Sequence, residues 1–94
     1  MNLAVFAVLD KAVGAYTKPF FVRTKGEAIR SFSEACNASD GPFKYPDDYV
    51  LYELGSWDDN SGVFRTNEPV RVIGARECLH ESSTSAVSQL PVAS

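Results

Sequence analysis

The sequence holds a single histidine, a single tryptophan and two cysteines, and no apolar run approaches the length of a membrane-crossing helix. Each scarcity excludes something. The lone imidazole, His80, sits at the edge of a Ser-rich C-terminal stretch, where a general base is not held within hydrogen-bond reach of a nucleophile. No G-x-S-x-G elbow and no phosphate-cradling glycine loop accompanies it. The adjacent acids Asp47/Asp48 and Asp58/Asp59 read as solvated loop carboxylates. The expectation is a protein that is not an enzyme and carries no cofactor.

Metal binding fares no better. Cys36, Cys78 and His80 are three ligands without the paired C-x-x-C spacing of a structural zinc site. Asp58-Asp59-Asn60-Ser61-Gly62 has the opening of a calcium loop, but its twelfth position is Pro69 rather than Glu, so it reads as a hairpin turn. Two cysteines define no disulfide framework, and Cys36 falls on the apolar face of a helix. Reduced thiols and an intracellular protein are expected. MNLAVFAVLD lacks a basic residue before its apolar run and is broken by Asp10-Lys11, unlike a secretion signal. Without secretion, the Asn37-Ala38-Ser39 sequon is a chance match.

What is present fits one small domain. Of 94 residues, 45% are hydrophobic, enough for a modest core. Twelve acids against nine bases give a net charge of −3, which argues against a uniformly basic nucleic-acid binder. The charge is unevenly spread, however. Residues 11–30 carry five bases and one acid, whereas residues 31–94 carry ten acids and four bases.

Leu3 to Leu9 is apolar on both alternating faces and reads as a strand buried on two sides. Asp10 to Lys18 reads as a connection, and Phe20 to Arg23 as a short strand opened by Pro19. Thr24-Lys25-Gly26-Glu27 has the capping-box pattern. It starts a helix to about Cys36, with Ala28, Ile29, Phe32, Ala35 and Cys36 on the apolar side. Asn37 to Asp48 is a long polar loop. Tyr49 to Trp57 is the longest strand. Strict alternation puts Tyr49, Leu51, Glu53, Gly55 and Trp57 on one face. Val63 to Thr66 and Val70 to Ile73 read as two further strands. The expected architecture is a small α+β domain over residues 1–78, a mainly antiparallel sheet of four to five strands with one principal helix on one face. Residues 79–94 are expected to be a Ser-rich flexible tail.

The clearest functional stretch is Tyr16 to Phe32, YTKPFFVRTKGEAIRSF, where an aromatic, basic strand feeds a capped helix. Tyr16, Phe20 and Phe21 interleaved with Lys18, Arg23 and Lys25 is the composition of a platform for single strands, in which rings stack on bases and cations follow phosphates. Arg30 is spaced to pair with Glu27 or Glu34 on its own helix. The same residues also fit a core-and-surface role, since Phe20 and Phe21 point to opposite faces of a strand.

The chain resembles the small nonstructural protein encoded by gokushovirus-type phages of the Microviridae. The resemblance rests on an ordered set of short motifs over residues 3–66: Asp10-Lys11-Ala12, Tyr16, Pro19-Phe20, Glu27 to Phe32, Pro46-Asp47-Asp48-Tyr49, Leu51 to Leu54, Gly55 to Asp58 and Ser61-Gly62. It implies a non-capsid, non-enzymatic phage protein in the host cytoplasm that binds DNA and helps shift duplex replication to single-stranded genome synthesis. Joined to that resemblance, the residues give two expectations. One is a binder of single-stranded DNA or of the replication complex, through Tyr16, Lys18, Phe20, Arg23, Lys25 and Arg30. The other is an oligomeric adaptor that engages the replication initiator or capsid precursors without touching DNA. Neither involves a membrane.

Overall fold

β1 (Asn2–Asp10) is the axis of a five-stranded sheet in which every pairing is antiparallel. The structure, a computed structural model, describes residues 1–79. One flank of β1 pairs with two short strands in succession, β2 (Ala15–Tyr16) and β3 (Phe20–Val22). Its other flank pairs along its full length with β4 (Tyr49–Asp58), which in turn pairs with β5 (Phe64–Gly74). Between β3 and β4 lies the helix α1 (Lys25–Asn37), and a short helix α2 (Ala75–Cys78) follows β5. The small α+β fold with one principal helix is as the residue pattern predicts.

β2 and β3 are one edge interrupted at Thr17-Lys18-Pro19. Pro19 has no amide to donate, and Thr17 bridges the gap. Its amide donates to the Val8 carbonyl at 2.8 Å, and its Oγ1 accepts from the Val8 amide at 3.0 Å. Residues 15–16, expected to be a connection, are thereby held in the sheet.

α1 starts at its Thr24 cap, but the return bond that a capping box makes to the cap amide goes one residue further back, to Arg23. The Glu27 amide donates to Thr24 Oγ1 at 3.2 Å, and the Glu27 carboxylate accepts from the Arg23 amide at 2.8 Å. Ala28, Phe32 and Cys36 of α1 are buried against Phe6, Val8 and Leu51 of the sheet. α2 adds Ala75 and Cys78 to the same core, so both helices lie on one side. The Asn37 amide fastens them by donating to the Cys78 carbonyl at 2.9 Å. The loop at 38–48 is structural rather than loose. Its Phe43 packs between Phe32 and Tyr49, with ring centroids 5.5 and 4.7 Å away.

Two readings of the strands need correction. The segments at 63–66 and 70–73 are one strand, β5, interrupted where Asn67 to Pro69 bulges out between the register pairs Gly55↔Thr66 and Glu53↔Val70. Strict alternation along β4 also fails. Val5 pairs with Gly55 but Phe6 with Glu53, so Leu54 is an extra residue in β4. The bulge reverses parity. Tyr49 and Leu51 face the helices, whereas Gly55 and Trp57 lie in register with Val5 and Leu3 on the opposite side. Gly55 has φ +146°, and a Cβ there would collide with the Arg65 carbonyl oxygen. α2 was not anticipated in the residue pattern. Of the expected tail only Leu79 is described, and it packs against the core; residues 80–94 lie outside the described residues.

Leu51→Ala, at a fully buried site, should cost about 3 kcal/mol. Gly55→Ala should cost on the order of 3 kcal/mol, because the clash is with backbone. Urea unfolding followed by Trp57 fluorescence measures both. A Gly55→Ala midpoint equal to that of the parent would show that the bulge tolerates a side chain.

Candidate nucleic-acid interface

With both helices on one side of the sheet, no described element covers the other. That open face is built by the alternate residues of β1, Leu3, Val5, Ala7 and Leu9, together with their register partners. Tyr16 stands opposite Leu9, Tyr52 opposite Ala7, Phe21 opposite Val5, and Trp57 opposite Leu3. Phe64 is the partner of Trp57 on β5.

The rings form two groups. Tyr16 and Tyr52 meet edge to face at 5.6 Å. Phe21 lies 5.6 Å from Trp57 and 6.1 Å from Phe64, and Trp57 and Phe64 are 6.2 Å apart. Gly55, the register partner of both Val5 and Thr66, stands between the two groups with no side chain of its own. Leu9 and Val5, which anchor the groups, are four residues apart on β1, or about 13 Å. Tyr16, Phe21 and Phe64 are 43%, 41% and 55% exposed, so ring faces are open to solvent. Contiguous exposed aromatic surface of this kind marks a contact site.

Phe20 and Phe21 divide between the two faces. Phe20 pairs with Phe6 in register, stacks on its ring at 6.1 Å and packs against the core. Of the two, the open-face ring is Phe21. Lys18 and Tyr16 lie together at the interrupted edge. Arg23 follows β3 and lines a groove with Leu3, Phe21, Glu27 and Arg30. Lys25 opens α1, and Arg30 approaches Glu34 at 3.9 Å with both side chains exposed, a pair of little energetic weight. Among the described residues no ion pair engages the side chains of Lys18, Arg23 or Lys25. The structure thus gathers Tyr16, Phe21, Arg23 and Arg30 around one edge of the sheet, and adds Tyr52, Trp57 and Phe64, which lie outside the Tyr16–Phe32 stretch. A glycine inside a strand is a sequence signal for a bulge, and Gly55 is the one clue that would have moved Trp57 to the open face.

The carboxylates of β1 and β4 lie elsewhere. Asp10, Glu53 and Asp58 pair with Ala15, Phe6 and Asn2, positions of the helix-side parity. The open face of β1 and β4 is apolar and aromatic, and its β5 partner at Tyr52 is a cation, Arg71.

A sequence model of the family described as Phage ORF5 protein matches residues 3–78. The chain belongs to the Phage ORF5 protein family. The match begins in β1 and ends with α2, so it spans every strand of the open face and both helices. It also reaches beyond residue 66, where the motif resemblance stops. No curated protein and no solved structure matches the chain.

The thiols of this phage-family protein are free and buried. Burial, with the neighbouring Cys78 thiol as a smaller cause, pushes Cys36 up to about 11, and burial raises Cys78 as well. Both are protonated packing groups at neutral pH. Among the described residues no three His, Cys, Asp or Glu side chains are placed to hold a metal, and no helix is long and apolar enough to cross a membrane.

α2 is clasped from outside. Arg76 donates twice to Asp47, at 2.9 and 3.0 Å, and Glu77 accepts from the Gly74 amide at 2.7 Å and from Arg71 at 2.6 Å. The Arg76 hydrogen bond holds the Asp47 carboxyl below its ordinary 3.8. The Gly74 amide, then Arg71, holds Glu77 below its ordinary 4.5. Folded values depressed in this way contribute stability that is fully present above the ordinary values and lost as pH falls through the folded ones.

Acidification below those values should therefore loosen α2 before the sheet unfolds. The Gly74 amide resonance should titrate with a midpoint below 4.5, and Glu77→Gln should abolish that titration. A Gly74 amide insensitive to acid would contradict the clasp. The two phenylalanines give a second test. Phe20→Ala should destabilise by about 3 kcal/mol. Phe21→Ala, at a partly exposed site, should cost roughly 1 kcal/mol. Equal losses in thermal unfolding would contradict their placement on opposite faces.

Proposed function

We propose that this phage protein is a non-enzymatic binder of single-stranded DNA. In this reading it is a nonstructural protein of the gokushovirus type, acting in the bacterial cytoplasm to shift duplex replication toward single-stranded genome synthesis. The observation that carries the reading is the open sheet face, with two groups of partly exposed rings, cations at its edge that make no ion pair among the described residues, and the β1 and β4 carboxylates on the far side. Exposed rings stack on splayed bases, whereas a closed duplex offers them none. Arg23 lines a groove with Phe21, Lys18 follows Tyr16 by two residues and Lys25 opens the helix beyond, along the edge where a backbone would run as its bases stack.

Fluorescence anisotropy with labelled single-stranded and duplex oligonucleotides at two salt concentrations tests this. Single strands should bind in preference, with affinity falling steeply with salt. Phe21→Ala or Tyr52→Ala should each lose about 1–3 kcal/mol of binding, since each removes a stacking ring. Arg23→Glu with Lys25→Glu should abolish binding. Binding unchanged by these substitutions would sink the reading.

One observation favours a second reading. Among the described residues the outer edge of β5 has no pairing strand, and it is exposed from Phe64 to Arg71, with Phe64 and Val70 both more than half exposed. Such an edge suits strand addition by another copy or by a phage replication or capsid protein. Light scattering, and capture of a partner that survives nuclease treatment, would favour this oligomeric adaptor over the DNA reading.

A further inference from the structure

At the end of the open face nearest Tyr52, three cations line one hollow. Lys11 comes from the turn after β1, Arg71 from β5 and Arg76 from α2, and Pro46, Asp47, Tyr49, Val50, Gly74 and Glu77 complete the wall. Val50 and Arg71 belong both to this hollow and to the open face. Arg71 is the register partner of Tyr52, and Val50 is that of Leu9, which also pairs with Tyr16. The hollow is thus linked to the Tyr16–Tyr52 ring pair through register neighbours, although neither ring lines it.

We infer that this hollow is a phosphate subsite of the strand-binding face, holding the nucleic-acid backbone beside the bases that stack on Tyr16 and Tyr52. The inference rests on the single-strand reading above and adds to it a second edge of contact, across the sheet from Lys18, Arg23 and Lys25.

Three features carry it. First, three cations face two carboxylates, so the hollow keeps a net positive charge within an acidic protein. Second, the carboxylates position the guanidinium groups without saturating them. Arg76 uses two of its five N–H donors on Asp47 and Arg71 uses one on Glu77, which leaves three and four for an anion. Lys11 makes no ion pair among the described residues, although its charge helps to depress Asp47. Third, the clasping pairs are more than half exposed and contribute little individually, so a phosphate can share their cations at small cost. Gly74 makes room for this arrangement, because a Cβ there would stand 3.1 Å from Arg71 Nη2 and 3.2 Å from Glu77 Oε1. A guanidinium fixed by one carboxylate and open to a second anion is pre-organised for bidentate phosphate contact.

Titration of the full chain with a fluorescein-labelled oligothymidylate over a range of salt tests the subsite. Lys11→Gln with Arg71→Gln spares the Asp47–Arg76 pair. It should weaken binding on the order of tenfold, and flatten the slope of log affinity against log salt by about 1.4, at 0.7 per lost phosphate contact on a single strand. Quenching of Trp57 at saturation should persist, because stacking is untouched. Glu77→Gln keeps an acceptor for the Gly74 amide but removes an anion from the hollow, and should tighten binding several-fold, an effect opposite in sign to that of simple destabilisation. Unchanged affinity and slope in the double variant, or weaker binding by Glu77→Gln, would overturn the subsite. If Phe21→Ala still lost affinity in that case, strand binding itself would stand. A parent protein that neither binds the oligonucleotide nor shows Trp57 quenching would overturn both.

Discussion

At the bulge in β4, the backbone comes so close to β5 that only glycine fits. At Gly55 the Arg65 carbonyl occupies the place of a side chain, φ is positive, and one residue of β4 has no partner on β1. Most of the open face follows from this. Upstream of the bulge, alternation sends Leu51 into the helix-side core, where it is fully buried, and Tyr52 to the other side. Without the extra residue the same alternation would carry Trp57 to the helix side, at the end of the sheet beyond the core residues of α1. With it, Trp57 joins Phe21 and Phe64 in a cluster whose rings lie within 6.2 Å of one another. A single register shift thus brings Trp57 into the aromatic cluster of the open face.

The interrupted edge of β2 and β3 acts in a complementary way. A proline at position 19 removes a ladder donor, and Thr17 replaces the lost continuity by bonding both polar groups of Val8. The edge stays in register on both sides of the break. Tyr16 is held on the open face, Phe20 in the core and Phe21 on the open face again. The break also leaves Lys18 in an exposed position beside Tyr16. Rigid placement of rings on strands, with cations on the adjoining turn and helix start, limits the ordering that a bound strand would have to impose on the protein.

The elements of this fold were legible from the residues wherever a local rule controlled them. Thr24 and Glu27 marked the helix start, and Thr24 caps it as expected, with Glu27 reaching back to the Arg23 amide rather than to that of Thr24. The apolar run at 3–9 marked the central strand, whose Phe6 and Ala7 are wholly buried on opposite faces. The illegible parts were those set by tertiary contact. Ala15-Tyr16 is strand only because β1 lies beside it. α2 has four residues and no pattern of its own; it exists through Glu77, Asp47 and the Asn37 amide. The loop at 38–48 looked polar and long, yet Phe43 ties it to the core. The site divides in the same way. Tyr16, Lys18, Phe21, Arg23 and Lys25 are contiguous and could be read together. Tyr52, Trp57, Phe64 and Arg71 join them only through strand pairing and a bulge that reverses alternation.

The acidic balance of the chain is the strongest argument against nucleic-acid contact, and its weight depends on where the charges lie. Total charge acts over distances longer than the Debye length, about 8 Å at physiological salt, and is screened there. Within that distance a bound phosphate meets only its immediate neighbours. Beside the open face these are Arg23, Arg71 and Lys18. Asp10, Glu53 and Asp58 project from the opposite side of the sheet, and Asp47 and Glu77 are tied to arginines. The acidic remainder of the surface weakens long-range attraction, which lowers the association rate and discourages indiscriminate adherence to duplex DNA. In the proposed reading, an acidic protein with a locally cationic, aromatic face would depend on stacking for its affinity, and stacking favours a single strand.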